Sequence, residues 1–143
     1  SWLAFLALNQ ELNGRLSVFR FEAEGQIVRH SGIQKHPEIV GVLVARLENP
    51  WLFPASVAFG AGSSYAAGTP ELEFPRRDPA KVRFQEAPVR RLLNYLVTEV
   101  DVGLPGSSSR ALMRIHHRSG IFGTYCLPIC GSNFIAYGLK TPL

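Results

Sequence analysis

The sequence predicts an α+β fold: an antiparallel sheet of about five strands with two or three flanking helices, in a single domain over residues 1–143 with a long Pro/Gly-rich insert at 49–85. Three observations carry this prediction. The 143 residues are 46% hydrophobic and 18% charged, enough apolar material for one core and too much for a disordered chain. Apolar residues recur at spacings of three and four in three stretches, which is helical periodicity. Aromatic and β-branched stretches lie between and after them, as in strands.

Taken in order, residues 2–12 place Trp2, Leu3, Phe5, Leu6, Leu8 and Leu12 on a short amphipathic helix that Asn13-Gly14 stops. Residues 15–21 and 26–30 read as two strands of a hairpin, with Glu22-Ala23-Glu24-Gly25 supplying the turn. Pro37 suits a first helical position and Glu38 the positive end of a helix dipole, so Ile39, Val40, Leu43, Val44 and Leu47 form the apolar face of a helix over 37–48, ended by Pro50. Between 49 and 85, Pro50, Pro54, Pro70, Pro75 and Pro79 with Gly60, Gly62 and Gly68 leave room for one short strand, 55–59. A third helix is expected over 87–100, burying Val89, Leu92, Leu93, Leu96 and Val100 and exposing Arg90, Arg91, Asn94 and Glu99. Gly103 and Pro105 end it, and strands follow at 110–117, 124–130 and 134–139, with Gly131-Ser132-Asn133 as the connection between the last two.

The charge is unevenly placed. There are 15 basic and 11 acidic residues, and the last acidic one is Asp101. Arg110, Arg114, Arg118 and Lys140 follow it, so the net charge of +4 belongs to the C-terminal segment. A basic field of this kind suits phosphate, an anionic membrane surface or an acidic partner. Twelve of the fifteen cations are Arg, the commoner interface cation. On the strand at 110–117, Arg114 and His116 share one face and Met113 and Ile115 the other, which reads as a half-buried strand with a basic outer side. The long uncharged run at 119–139 is interrupted by Pro128 and four glycines, a poor lipid-facing helix and a good pair of buried strands.

Catalytic and cofactor motifs are absent by spacing. His30, His36, His116, His117, Cys126 and Cys130 are the metal-ligand candidates, but Cys126 and Cys130 do not have zinc-knuckle spacing and adjacent histidines on a strand point to opposite faces, so no metal site is expected. His117 and Ser119 are near in sequence, yet no nucleophile elbow accompanies them. The stretch Gly60-Ala61-Gly62-Ser63-Ser64 resembles a phosphate cradle but lacks the P-loop Lys and the third dinucleotide-fingerprint Gly, and reads as a flexible loop. The sequence therefore predicts neither an enzyme nor a cofactor.

Residues 8–32 (LNQELNGRLSVFRFEAEGQIVRHSG), with the apolar stretch from Pro37, and residues 125–139 (YCLPICGSNFIAYGL) resemble the roadblock superfamily in hydrophobic pattern and turn residues. The resemblance covers about half the chain. It implies an antiparallel sheet flanked by helices, and proteins that act by docking, as dimers or scaffold parts of larger machines, without catalytic residues.

Taken together, these readings predict a non-catalytic accessory or scaffold subunit of a large multi-protein assembly, such as a membrane-associated respiratory complex. The long aromatic insert is expected to lie against other subunits. The partner-contacting candidates are Trp51, Phe53, Tyr65, Phe74, Arg76, Arg77, Arg110, Arg114 and Arg118. Ser rather than Met at position 1, with the Arg-rich composition, points to a processed N-terminus and to mitochondria. Two alternatives stand beside this: an RNA-contacting structural protein of a mitochondrial ribosome-like particle, and a small ligand-binding domain or enzyme using the Gly60 loop. Protein subunits are the expected partners, RNA and an anionic membrane surface the further ones, and no small-molecule substrate is expected.

Overall fold

A computed structural model describes residues 1–48, 54–73, 91–120 and 131–143. Its strands are β1 (Trp2–Leu16), β2 (Phe19–Ser31), β3 (Pro37–Glu48), β4 (Ala55–Ala66), β5 (Leu92–Gly103), β6 (Arg110–Ser119) and β7 (Gly131–Lys140), with one 3-10 turn at Glu71–Glu73. Each pairs antiparallel with its sequence neighbour, giving a 7-stranded meander in the order β1 to β7. The sheet curls into a half-barrel, and side chains of β2 and β3 reach those of β5 and β6 across its concave side.

The α+β prediction is overturned: there is no α-helix among the described residues. In place of the three expected helices stand β1, β3 and, for the third from Leu92 on, β5, while its expected start at 87–90 lies outside the described residues. The reason is clearest in β3. Ile39, Val40, Leu43, Val44 and Leu47 fit a helical stripe, but Val40, Val42 and Val44 are buried while Ile39 and Leu43 are exposed, which is period two with apolar residues on both faces. The tetrad at 22–25 is no turn. It lies inside β2, with Glu22 and Glu24 buried, and the chain reverses instead at Ser17 and Val18, where Ser17 takes a positive φ of 57°. Gly131-Ser132-Asn133 likewise opens β7 rather than preceding it. The strands expected at 55–59, 110–117 and 134–139 lie within β4, β6 and β7, whereas 124–130 lies outside the described residues.

The Gly60 stretch is no loop either. It is the middle of β4, paired with Val44 through Val40 of β3. Residues 56, 58, 60, 62, 64 and 66 of this strand, all Ser, Ala or Gly, form its inward column. A Cβ on Gly62 would lie 2.0 Å from the Gly41 carbonyl oxygen, and one on Gly60 would lie 2.9 Å from that of Leu43. Only glycine permits this approach of β3 to β4 where the sheet bends. The narrow column leaves room for Arg46, Tyr95 and Arg118, among the largest fully buried side chains. Beside them Val28, Val40, Val42, Val44, Ala58, Tyr95 and Val97 make a small apolar cluster, with Leu3 and Phe5 of β1 against it.

Candidate functional site

The concave side holds most of the charge. At the end of the strands nearest the β5–β6 connection, Arg46 of β3 donates from Nε to Glu22 (2.8 Å), from Nη2 to Glu99 (2.8 Å) and from Nη1 to Asp101 (2.5 Å) and Ser56 (2.9 Å). Next to it Arg114 of β6 donates through Nη1 and Nη2 to both oxygens of Glu24 (2.7 and 3.0 Å), and through Nε to Glu99 (2.8 Å). Gln26 bonds Glu24 and the Tyr95 hydroxyl. Arg20, Arg110 and Lys140 complete the rim, pairing with Glu22 and Asp101. Arg46 and Arg114 are 1% and 3% exposed. Such ions are held out of water only because every carboxylate finds a cationic partner.

At the opposite end, His30 of β2 donates to Glu38 of β3 (2.6 Å), and His116 Nε2 of β6 lies 3.2 Å from the other oxygen of the same carboxylate. Ser64 of β4 also donates to Glu38 (2.5 Å), and Arg118 Nε stands 3.6 Å from it. Arg118 is otherwise engaged by Glu73 (2.5 Å), which Ser132 also reaches, and by the Arg91 carbonyl. In the β2–β3 connection, Gln34 donates to His36 Nε2 (2.7 Å) and His36 Nδ1 to the Pro37 carbonyl (3.1 Å). Burial pushes the Glu73 carboxyl above its ordinary value despite the adjacent Arg118. This end is incompletely satisfied: His30 Nδ1, both ring nitrogens of His116, Gln34 Oε1, Glu73 Oε2 and Arg118 Nε have no hydrogen-bond partner. His30, Glu38 and His116 bring one ligand atom each within 4.8 Å of one another.

The convex side is the reverse. The outward residues of β1 to β7 include Trp2, Leu6, Leu8, Phe21, Ile27, Ile39, Leu43, Phe59, Tyr65, Leu92, Leu96, Val100, Met113, Ile115, Ile135, Tyr137 and Leu139. Leu6 is 72% exposed and Tyr137 75%. On the outward positions of β2 to β7 the sole residue of fixed charge is Arg29, near the end where β2 turns into β3. The other strongly polar outward side chains, Asn94, His117 and Asn133, gather at that same end, where His117 Nδ1 and Asn133 Oδ1 lie 2.5 Å apart.

The predicted contact residues divide accordingly. Arg114 and Arg118 are not on a basic outer face: both are sealed on the concave side, so the β6 alternation is present with its faces exchanged. Arg110 is partly exposed at the rim, held by Asp101 (2.6 Å) and the Pro54 carbonyl (2.8 Å). Tyr65 points outward with the apolar wall. Trp51, Phe53, Phe74, Arg76, Arg77, Cys126 and Cys130 lie outside the described residues. Sequence reasoning passed over the His30–Glu38–His116 grouping because it weighed ligands by proximity in sequence, and His116 joins the other two only through the curl of the sheet. The available signal was the alternation of His30, Glu38 and His116 with Arg or Glu on the same strand faces. No family model, curated protein or solved structure matches this chain.

Proposed function

We propose that this chain is a membrane-embedded β-barrel protein of the outer-membrane kind, its convex wall facing lipid and its polar interior closed by side chains. One observation carries the reading: over seven consecutive strands the outward residues are overwhelmingly apolar, while β2, β3, β5 and β6 turn a buried ionic network inward beside a small apolar cluster, the opposite of a water-soluble sheet. No helix among the described residues is long and apolar enough to cross a membrane, a criterion that does not bear on strands. Ten-residue strands at the usual tilt of such barrels rise about 25 Å, the height of a bilayer's apolar band. Aromatics stand toward both ends of the wall, Trp2 and Tyr65 at one, Phe19 and Tyr137 at the other.

An apolar wall could instead be covered by protein, as a scaffold subunit would require. It runs over the whole convex side rather than forming a bounded patch, so a partner would have to wrap the sheet, whereas lipid covers it without any specific fit. A bilayer also demands that the free edges of β1 and β7 be paired, by each other or by a further strand. They are near neighbours across the concave side, where Phe5 of β1 lies under the Arg114 guanidinium (5.1 Å) and Lys140 of β7 reaches Glu22 (3.5 Å). The buried ion pairs fill the interior, which supports a plugged barrel rather than an open pore.

Connections of unequal length give the orientation. The two longest connections, 67–91 and 120–130, join strands at the His30 end together with the short 32–36, while 17–18, 49–54 and 104–109 join them at the Arg46 end. Outer-membrane barrels put short turns toward the periplasm and long loops outside. The test is refolding from denaturant into phospholipid vesicles. The reading expects co-flotation with the vesicles, resistance to alkaline carbonate, and a gel mobility that shifts on boiling. A monodisperse, folded protein in detergent-free buffer that ignores vesicles would overturn it.

A further inference from the structure

We propose that His30, Glu38 and His116 form a binding site for one divalent transition-metal ion of the zinc class. The three side chains come from β2, β3 and β6 and are 1%, 0% and 1% exposed. Their ligand atoms lie within 4.8 Å of one another. A tetrahedral ion with bonds of about 2.0–2.1 Å needs its ligands about 3.3 Å apart, so side-chain rotation must draw the widest-spaced ligand atoms together by up to about 1.5 Å to close the set. Two imidazoles and one carboxylate leave a fourth position open.

The hydrogen bonding indicates a missing occupant. Neither His116 nor His30 has a partner at Nδ1, and His116 Nε2, 3.2 Å from Glu38, is not aligned for a hydrogen bond with it. Each such buried group costs about 1–3 kcal/mol if nothing satisfies it. In the ionic cluster around Arg46 and Arg114, built on the same strands, no atom of a charged side chain is in this state, and Gln26 Oε1 alone among its described neighbours is. Glu38 is already oriented for a ligand role: Ser64 donates to one oxygen, and Arg118 stands beside it with its own charge answered by Glu73. Hard cations are disfavoured, because Ca2+ and Mg2+ want a cage of oxygens and one carboxylate is all this group supplies. Imidazole with carboxylate selects zinc and its neighbours. His36 is left out of the set, since its two nitrogens are bonded by Gln34 and the Pro37 carbonyl.

The site lies inside the sheet and does not depend on what covers the convex wall. The experiment titrates the refolded chain in detergent micelles with Zn2+ alone by calorimetry, and with Co2+ alone by visible absorption. One saturable site per chain is expected, weakened more than about 100-fold in His30→Ala and His116→Ala, beyond the loss of an outer-shell partner. His117→Ala, altering an outward residue, should bind as the parent does. X-ray absorption of the zinc-loaded parent, which requires no variant to fold, should show two imidazoles on the metal. Failure of the parent to bind saturably, parent-like binding by the folded His30 and His116 variants, or a zinc spectrum without imidazole would overturn the proposal. Soluble, vesicle-indifferent protein that still binds zinc would overturn the membrane reading and leave this one standing.

Discussion

The two halves of the concave side are built from the same strands and the same kinds of residue, yet they differ in completeness. Around Arg46 and Arg114 every carboxylate meets a guanidinium at hydrogen-bond distance, and no side-chain atom of Glu22, Glu24, Arg46, Glu99, Asp101 or Arg114 is left over. Around Glu38 three strands deliver two imidazoles and a carboxylate, and ring nitrogens are left over. A fully paired network fixes the curl of the sheet, because each Arg ties strands that are not neighbours in the order. A partly paired one keeps bonding capacity for something else. The difference separates scaffold from site within one polar interior.

Breaking the complete half should cost most. Arg46→Ala leaves Glu22, Glu99 and Asp101 buried with too little positive charge, and about 3–5 kcal/mol of folding stability should be lost, read as a fall in the urea midpoint in vesicles. The wall enclosing both halves comes next. Ile115→Arg, at the middle of outward-facing β6, should cost about 2–4 kcal/mol in a bilayer, whereas Asn133→Arg near the polar end should cost under about 1. An Ile115→Arg protein as stable as the parent in lipid would show that this face is not lipid-facing.

The incomplete half should be cheaper to disturb. His116→Ala in metal-free protein should cost about 1–2 kcal/mol, less than Arg46→Ala, since the imidazole satisfies little there. Excess Zn2+ should raise the unfolding midpoint of the parent and leave that of His116→Ala in place. The smallest effect concerns pH. Burial raises the Glu73 carboxyl above the 4.5 of an unfolded chain, so the folded state holds the proton more tightly. Stability from this group is present below pH 4.5 and is lost as pH rises through its folded value. Unfolding midpoints followed upward from pH 4.5 should therefore fall more in the parent than in Glu73→Gln, and parallel profiles would refute the assignment.

Parts of this were readable in the sequence. The strands at β6 and β7 and the start of β4 followed from their residues, and the alternation of Arg114 and His116 with Met113 and Ile115 was explicit. What the alternation could not give is its sense: in water the apolar face goes in, and here it faces out, so the same pattern was assigned the wrong surroundings. β3 and β5 failed for a different reason. With Val or Leu on both faces, period two and the helical spacing fit equally well, although the β-branched Val40, Val42 and Val44 at every second position favoured a strand. In β2, Glu22, Glu24 and Gly25 looked like turn chemistry because nothing local shows that Arg46 and Arg114 wait opposite. Those partners lie 24 and 90 residues away in sequence, and only the curl of the sheet joins them.

The most direct test of the inverted sheet is a cysteine scan of β3 with spin labels in vesicles, where both faces are apolar and hydropathy cannot anticipate the result. Labels at Ile39, Leu43 and Ala45 should collide with lipid-dissolved oxygen and be shielded from a water-soluble nickel complex. Labels at Val40, Val42 and Val44 should be shielded from both, giving a strict period of two. Nickel collisions at Ile39, Leu43 and Ala45 equal to those of a free chain would contradict the account.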